Sequence, residues 1–246
     1  MISKFRRLKS IVTVSNALLV AFVICCLAIG CGKKKDTVSL PEQETRQMNS
    51  AETAVPEDDE QASVGEKAAT GPSGEFKKFY VYADQGYFKN HFIPSGWMGD
   101  CADIKYNDSC TNTPQSRRTC IRVTYTAQSK SGAGWAGIYF QEPANNWGST
   151  KGGFDLTGAK KLTFWARGEN GGETIAEVKM GGIRGEFSDT ATSSIGPITL
   201  TPEWQQYTID LKDEDMSLVI GGFAFVISSM DNPNGCTFYL DEIAYE

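Results

Sequence analysis

An all-β sandwich or barrel is the fold class this sequence predicts for residues 76–246. Three observations carry it. Short runs of β-branched and aromatic residues recur, most of them bounded by Gly, Pro, Asn or Asp. No long segment holds a helical period, and nothing alternates as strand, helix, strand. Paired glycines at 152–153, 171–172, 181–182 and 221–222 supply the backbone freedom that turns and strand ends need.

Taken in order, the predicted strands span 79–83, 121–126, 135–140, 162–166, 175–180, 198–200, 206–211, 223–227 and 237–245. Successive side chains of a strand point to opposite faces. In the fourth strand Leu162, Phe164 and Ala166 share one face, and Thr163, Trp165 and Arg167 the other. In the third, Ala136, Ile138 and Phe140 oppose Trp135, Gly137, Tyr139 and Gln141. Each has a plain apolar face that wants a core. Each also has a mixed face that suits either a second packing surface or a ligand platform. The stretch 213–219 is the one place that fits a single helical turn. No internal repeat is present.

The chain before residue 76 is of another kind. Lys4, Arg6, Arg7 and Lys9 make a positive start, and 11–30 is almost wholly apolar, ending Leu27-Ala28-Ile29-Gly30-Cys31. This reads as an export signal over 1–31. Its end resembles a bacterial lipobox, in which the cysteine is lipidated and becomes the mature N-terminus. Several acyl chains on one residue would anchor the protein stably. The alternative is an uncleaved span, since about 20 apolar residues cross a bilayer. Gly32 rather than Asp follows Cys31, which by the same resemblance implies the outer membrane or cell surface. Residues 32–75 hold no aromatic until Phe76 and carry an acidic run at Glu57–Glu60. Such a segment cannot bury enough apolar surface to offset its ordering entropy, so a disordered tether is expected. As a coil its ~44 residues would span roughly 35–40 Å.

Charge and composition narrow the function classes. A net charge of −6 argues against nucleic acid, which needs a basic footprint. The single histidine, His91, removes every mechanism needing two; beside Phe92 and Pro94 it reads as a packed loop residue. A glycosidase needs two facing carboxylates roughly 5–10 Å apart. Glu142, Glu173, Glu177 and Glu186 are available, but no motif pairs them. No GxSxG elbow is present. The reading is a binding protein, not an enzyme.

Cys101, Cys110, Cys120 and Cys236 would remain after export. An even number in an exported domain favours two disulfides, with three connectivities. Cys110 and Cys120 bracket a polar loop that a bridge would close. Cys120 and Cys236 start two strands, and if these are antiparallel neighbours their starts lie at opposite ends. Bridges Cys110–Cys120 and Cys101–Cys236 are therefore expected. A zinc site is disfavoured because no CxxC occurs.

The runs FYVYAD (79–84), CIRVTYT (120–126), WAGIYF (135–140), FDLTGAKKLTFWARG (154–168), EWQQYTIDL (203–211) and FYLDEIAYE (238–246) together resemble the galactose-binding-like jelly rolls of bacterial carbohydrate-binding modules. HFIPSGWMGD (91–100) and PANNWG (143–148) are similar to a group of uncharacterised bacterial lipoproteins. The resemblance covers about residues 76–246 and implies an antiparallel jelly-roll β-sandwich. It also implies a structural Ca²⁺ between the first and last strands, with Asp241 and Asp84 as ligands.

A fold hosts many functions, so the site must be argued from residues. Sugars offer apolar C–H faces to aromatic rings and hydroxyls to planar polar groups. If 135–141, 161–167 and 175–180 share a sheet, Trp135, Tyr139, Gln141, Trp165, Arg167, Glu177 and Lys179 line one groove. Trp97 and Trp147 stand in loops rich in turn formers and come next. Asn145 and Asn146 fit Asx turns, and Trp204 and Tyr207 fit packing under the sheet. The expected function is a lipid-anchored, extracytoplasmic, non-catalytic carbohydrate-binding domain. The alternative is a structural envelope lipoprotein whose aromatic face binds a protein partner.

Overall fold

The computed structural model describes residues 66–67 and 74–246. The export signal, Cys31 and most of the tether lie outside the described residues. In chain order the strands are β1 (Glu66–Lys67), β2 (Phe79–Tyr82), β3 (Ile93–Gly99), β4 (Ile104–Cys110), β5 (Cys120–Tyr125), β6 (Trp135–Gln141), β7 (Phe154–Asp155) and β8 (Lys161–Gly168). They continue with β9 (Thr174–Ile175), β10 (Glu177–Gly181), β11 (Thr192–Ile195), β12 (Ile198–Thr199), β13 (Gln205–Asp210), β14 (Gly221–Ser228) and β15 (Cys236–Tyr245).

Two antiparallel sheets face each other. One has five strands in the order β11-β10-β14-β6-β3. The other has six, in the order β13-β8-β15-β5-β4, with β2 beside the last part of β15. Consecutive strands change sheet at β2–β3, β3–β4, β5–β6, β13–β14 and β14–β15, and the chain crosses again from β6 to β8, from β8 to β10 and from β11 to β13. Between the sheets lie the plain apolar faces. Ala136, Ile138 and Phe140 meet Leu162, Phe164 and Ala166, each at most 1 % exposed. Phe140 and Phe164 both pack edge-on against Phe223 at 5.6 Å. Among the described residues the buried core begins at Phe79 and ends at Tyr245. The sandwich therefore carries its own core.

The strands that the sequence pattern passed over have a common place. β3, β4 and β11 all lie at sheet edges. An edge strand pairs on one side only, so it tolerates proline and polar residues that a central strand rejects. Pro94, Gly96, Asn107 and Ser193 belong to such edges. The run 175–180 divides at Ala176, whose N–H donates to the Val226 carbonyl, so that β9 pairs with β12 and β10 with β14. The stretch 213–219 forms turns without a helix. Within the expected tether, β1 pairs in parallel with β7.

Neither expected disulfide is formed. Cys110 and Cys120 are direct cross-strand partners on β4 and β5, yet both are buried thiols, and Cys120 Sγ lies 3.5 Å from the Cys110 carbonyl. Cys236, at the start of β15, is a half-buried thiol opposite Tyr125, so the Cys101–Cys236 bridge is absent. Burial pushes the Cys120 and Cys236 thiols up to about 12.

Candidate functional site

The mixed faces of the two strands point away from each other, on opposite outer surfaces of the sandwich. On the five-stranded sheet, cross-strand register builds rungs. One carries Met98, Gly137, Val226 and Glu177; the next carries Gly96, Tyr139, Ala224, Lys179 and Ser194. Trp135 pairs with Ser228 at one end of this face, and Gln141 lies at the other. Five expected site residues thus share a face: Trp135, Tyr139, Gln141, Glu177 and Lys179. Trp165 and Arg167 do not join them. They lie on β8 of the six-stranded sheet, so the single groove of all seven is not formed.

Within the first face the residues divide between floor and support. Tyr139 is 5 % exposed, and its hydroxyl donates to the Gly181 carbonyl. Burial pushes its phenol well above the usual range. The Trp147 ring stands perpendicular to Tyr139 at 5.8 Å, and Lys179 Nζ lies 5.8 Å from the same ring. Trp147 itself is 37 % exposed. Gln141 is buried beneath the 142–150 loop: Oε1 accepts from Ser95 Oγ at 3.0 Å, and Nε2 donates to the Asn146 carbonyl at 2.9 Å. Asn146 Oδ1 accepts from Gly148 N and Thr150 N, the expected Asx turn. A Cβ on Gly148, whose φ is +87°, would come within 2.7 Å of the Arg184 carbonyl. Gly148 in turn accepts from Phe187 N. Trp147 is therefore presented by a loop fastened on both sides.

Toward the other end the floor is low. At Gly137 a Cβ would sit 2.5 Å from the Phe225 carbonyl and 3.0 Å from Met98 Cε. Half-buried Trp135, Met98 and Val226 surround it, with Glu177 and Lys179 along one flank. Trp135 and Tyr139 are four residues apart, about 13 Å at the rise of a strand. Met98, Val226, Ser194 and Ser228 escaped the sequence reading, which had no β3 or β11 on which to place Met98 and Ser194.

Trp97 lies elsewhere. Its partner across the strands is Ile138, so it points to the core side of edge strand β3. There it meets Tyr106 of β4 at 6.4 Å, closing the open side of the sandwich while 39 % exposed. His91 stacks on Phe79 at 3.9 Å, the packing expected of it. Tyr207 stacks on the core ring of Phe164 at 5.5 Å.

The outer face of the six-stranded sheet is covered around Tyr239 and Asp241, while Trp165 beside them stays half-buried and Gln206 and Arg122 are exposed. Arg167, 8 % exposed, lays its guanidinium over Tyr239 at 3.8 Å and faces Trp204 at 5.3 Å. Its terminal nitrogens donate to the Gly168 and Asn112 carbonyls and to Thr113 Oγ1. Trp204 Nε1 donates to the Thr113 carbonyl at 2.9 Å. The 111–119 loop is thus held down upon the sheet. Asp241, fully buried, holds its other half: Oδ2 accepts from Gln115 N at 2.9 Å and Ser116 N at 3.1 Å, and Oδ1 from Glu242 N at 2.8 Å. Burial pushes this carboxyl up to about 6 against the pull of those donors.

The Asp84 and Asp241 pair does not fit Ca²⁺, which takes six to eight oxygens. Asp84 accepts from Thr119 Oγ1, from Arg118 Nε at 3.2 Å and from Gln85 N. These donors hold its carboxyl below the ordinary value despite burial. N–H and O–H groups aimed at both carboxylates are the surroundings of a protein-held anion. Among the described residues no three His, Cys, Asp or Glu side chains converge for a metal.

No family model and no curated protein matches this chain. Solved structures are similar in β-sandwich architecture. A family 30 carbohydrate-binding module is 16 % identical with a TM-score of 0.49, covering 70 % of this chain and 99 % of its own. The family 30 module of a cellulosomal cellulase of Clostridium thermocellum is also 16 % identical, with a TM-score of 0.48 over 70 % of this chain and 98 % of its own. A family 29 module complexed with cellulohexaose is 10 % identical, with a TM-score of 0.42 over 69 % of this chain and 89 % of its own.

Proposed function

We propose that this chain binds an oligosaccharide, without chemistry, on the outer face of its five-stranded sheet. The carrying observation is the pairing of half-buried Trp135 with exposed Trp147 on one face, with Glu177 and Lys179 beside them. Trp135 and Tyr139 stand about 13 Å apart by strand rise, and Trp147 packs edge-on against Tyr139, a span that suits several linked rings rather than one. Their apolar faces suit sugar C–H groups, while Glu177, Lys179, Ser194 and Ser228 suit hydroxyls. Polar side chains in every rung favour a sugar over a flat apolar protein partner. Asp189, which meets this face at Gly221, already accepts from the backbone N–H groups of Ile183, Ile220 and Gly221. It therefore serves the loops, and Glu177 has no second carboxylate assigned to act with it.

The test is a panel of neutral oligosaccharides presented to the chain from Gly32 onward. Trp135→Ala and Trp147→Ala should each lose binding, and Trp165→Ala, on the far sheet, should keep it. Binding that survives both of the first two variants, or an empty panel, ends this reading. Lipid anchoring through Cys31, at the outer membrane or cell surface, belongs to the same proposal. Radiolabelled palmitate should enter the wild-type chain in a bacterial host and not Cys31→Ala.

A further inference from the structure

The turn between β2 and β3 holds Phe88 almost bare, at 82 % exposed. The turn is well fastened. Asn90 Oδ1 accepts from Ala83 N at 3.0 Å, and Asn90 Nδ2 donates to the Asp84 carbonyl at 2.9 Å. Tyr87 N donates to that same carbonyl at 3.1 Å, and Asn90 N to the Tyr87 carbonyl at 3.0 Å. A fixed turn thus presents an apolar ring to solvent. The ring heads a row: Phe88 meets Tyr87 edge-on at 5.1 Å, and Tyr87 meets Tyr80 at 5.9 Å. Exposed apolar surface of this kind marks a protein or a membrane contact.

Cations line the row. Lys89 Nζ lies 5.5 Å from the Phe88 ring, the Arg117 guanidinium 4.5 Å from Tyr87, and Lys78 Nζ 5.3 Å from Tyr80. The charges are layered. Arg117 pairs with Glu242, Lys78 with Glu246 and Arg118 with Asp84, and in each pair the cation side chain is the more exposed. A chain of net charge −6 therefore turns positive charge outward here. Apolar rings ringed by outward cations match the boundary of an anionic bilayer. There the rings enter between headgroups and acyl chains, while Lys and Arg stay at the phosphates. A soluble polyanion would meet the cations and leave Phe88 without an apolar partner. The path of the chain favours the bilayer too. The segment from Cys31 enters the sandwich at Phe76, two residues before Lys78. We infer that the Phe88 turn, with Lys78, Lys89 and Arg117, docks the sandwich on an anionic lipid surface. The inference takes the nearby membrane from the Cys31 reading, while the docking surface itself needs no acyl chain.

Vesicle sedimentation tests it on the chain from Gly32 onward, whose sandwich carries its own core. The probes are phosphatidylcholine vesicles with and without about one third phosphatidylglycerol. Binding should appear with the anionic vesicles, be lost without phosphatidylglycerol, and fall in high salt. Phe88→Ala should weaken it about tenfold, and Lys89→Glu by a similar factor. Both residues are exposed, so both variants should fold as the wild type does. Phe88→Trp should keep binding, and its added indole should shift its emission to the blue when vesicles are added. No binding to anionic vesicles, equal binding to pure phosphatidylcholine, full binding by Phe88→Ala, or an unshifted indole overturns the inference. So does capture by soluble polygalacturonate in place of vesicles. Trp147→Ala should leave vesicle binding as it is, which separates docking from sugar binding. The tested chain lacks Cys31, so a failure of docking here and a failure of palmitate labelling are distinct results.

Discussion

The two outer faces of this sandwich are written in the same residue pattern and meet opposite fates. On the five-stranded sheet, Trp135 and Trp147 keep exposed ring, and the loops fasten around them. On the six-stranded sheet, Arg167 and Asp241 draw the 111–119 loop down until Tyr239 is wholly buried. The difference lies in what the polar group of each alternating pair reaches. Gln141 reaches a neighbouring loop and props it at one end of the face. Arg167 reaches backbone carbonyls directly over its own sheet. A cation between two aromatic rings therefore marks a closed face here, and a tryptophan beside half-buried Glu and Lys marks an open one.

The strongest way to break the comparison is to remove the clamp. Arg167→Ala leaves the Asn112 carbonyl, Thr113 and the Tyr239 ring without their cation, and should cost about 2–4 kcal/mol in urea unfolding. Arg167→Lys should recover only part, since an ammonium cannot reproduce the planar fork. Full stability in Arg167→Ala would mean that the loop is not held by this residue.

Asp241 sharpens the contrast through pH. Its pKa of about 6 when folded exceeds the ordinary value near 3.8. Below about pH 4 it is protonated in both states, with no penalty. As pH rises from about 4 to 6 the unfolded chain ionises first, so stability falls, by roughly 3 kcal/mol in all at 1.36 kcal/mol per pH unit. Asp84, held below its ordinary value, works in the opposite sense and loses its contribution as pH falls. The amide shift of Gln115, which donates to Asp241, should titrate with a midpoint near 6. A midpoint below 4 would remove Asp241 from this role.

On the open face the expected effect is on binding rather than folding. Trp147→Ala should cost about 2 kcal/mol of ligand affinity, roughly thirtyfold, as truncation of an aromatic anchor does. Its effect on stability should be smaller, because the loop is held by Asn146 and Gly148 rather than by the indole. Loss of folding with no change in affinity per folded molecule would reverse the assignment of the two faces.

Much of this was legible in the sequence, for a reason of symmetry. Strands in the middle of sheets are buried on their plain face, so alternation announces them: 135–141 and 162–166 read correctly down to which residues enter the core. Edge strands lack that constraint, and β3, β4 and β11 were hidden by Pro94, Asn107 and the serines of Thr192–Ile195. The site was legible by face but not by sheet. Alternation shows that Trp165 and Arg167 share a surface, and separately that Trp135 and Tyr139 do. Which strands pair is decided by long-range register, and β8 pairs with β13 and β15, far from β6. The cysteines misled because an even number in an exported domain speaks for bridges, while Cys110, Cys120 and Cys236 all stand as thiols.

The smallest effect is expected at Trp97, and it tests whether exposure alone identifies a binding tryptophan. Trp97 and Trp147 are almost equally exposed, at 39 % and 37 %. Trp97 nevertheless points to the core side of β3 and covers Tyr106 at the edge of the sandwich. Trp97→Ala should therefore leave oligosaccharide affinity within twofold. It should lower stability by about 1 kcal/mol, the scale of a half-exposed aromatic pair. Calorimetric titration beside urea unfolding separates the two quantities. A loss of affinity equal to that of Trp147→Ala would place the ligand across the edge of the sandwich, and the outer face of the five-stranded sheet would no longer define the site.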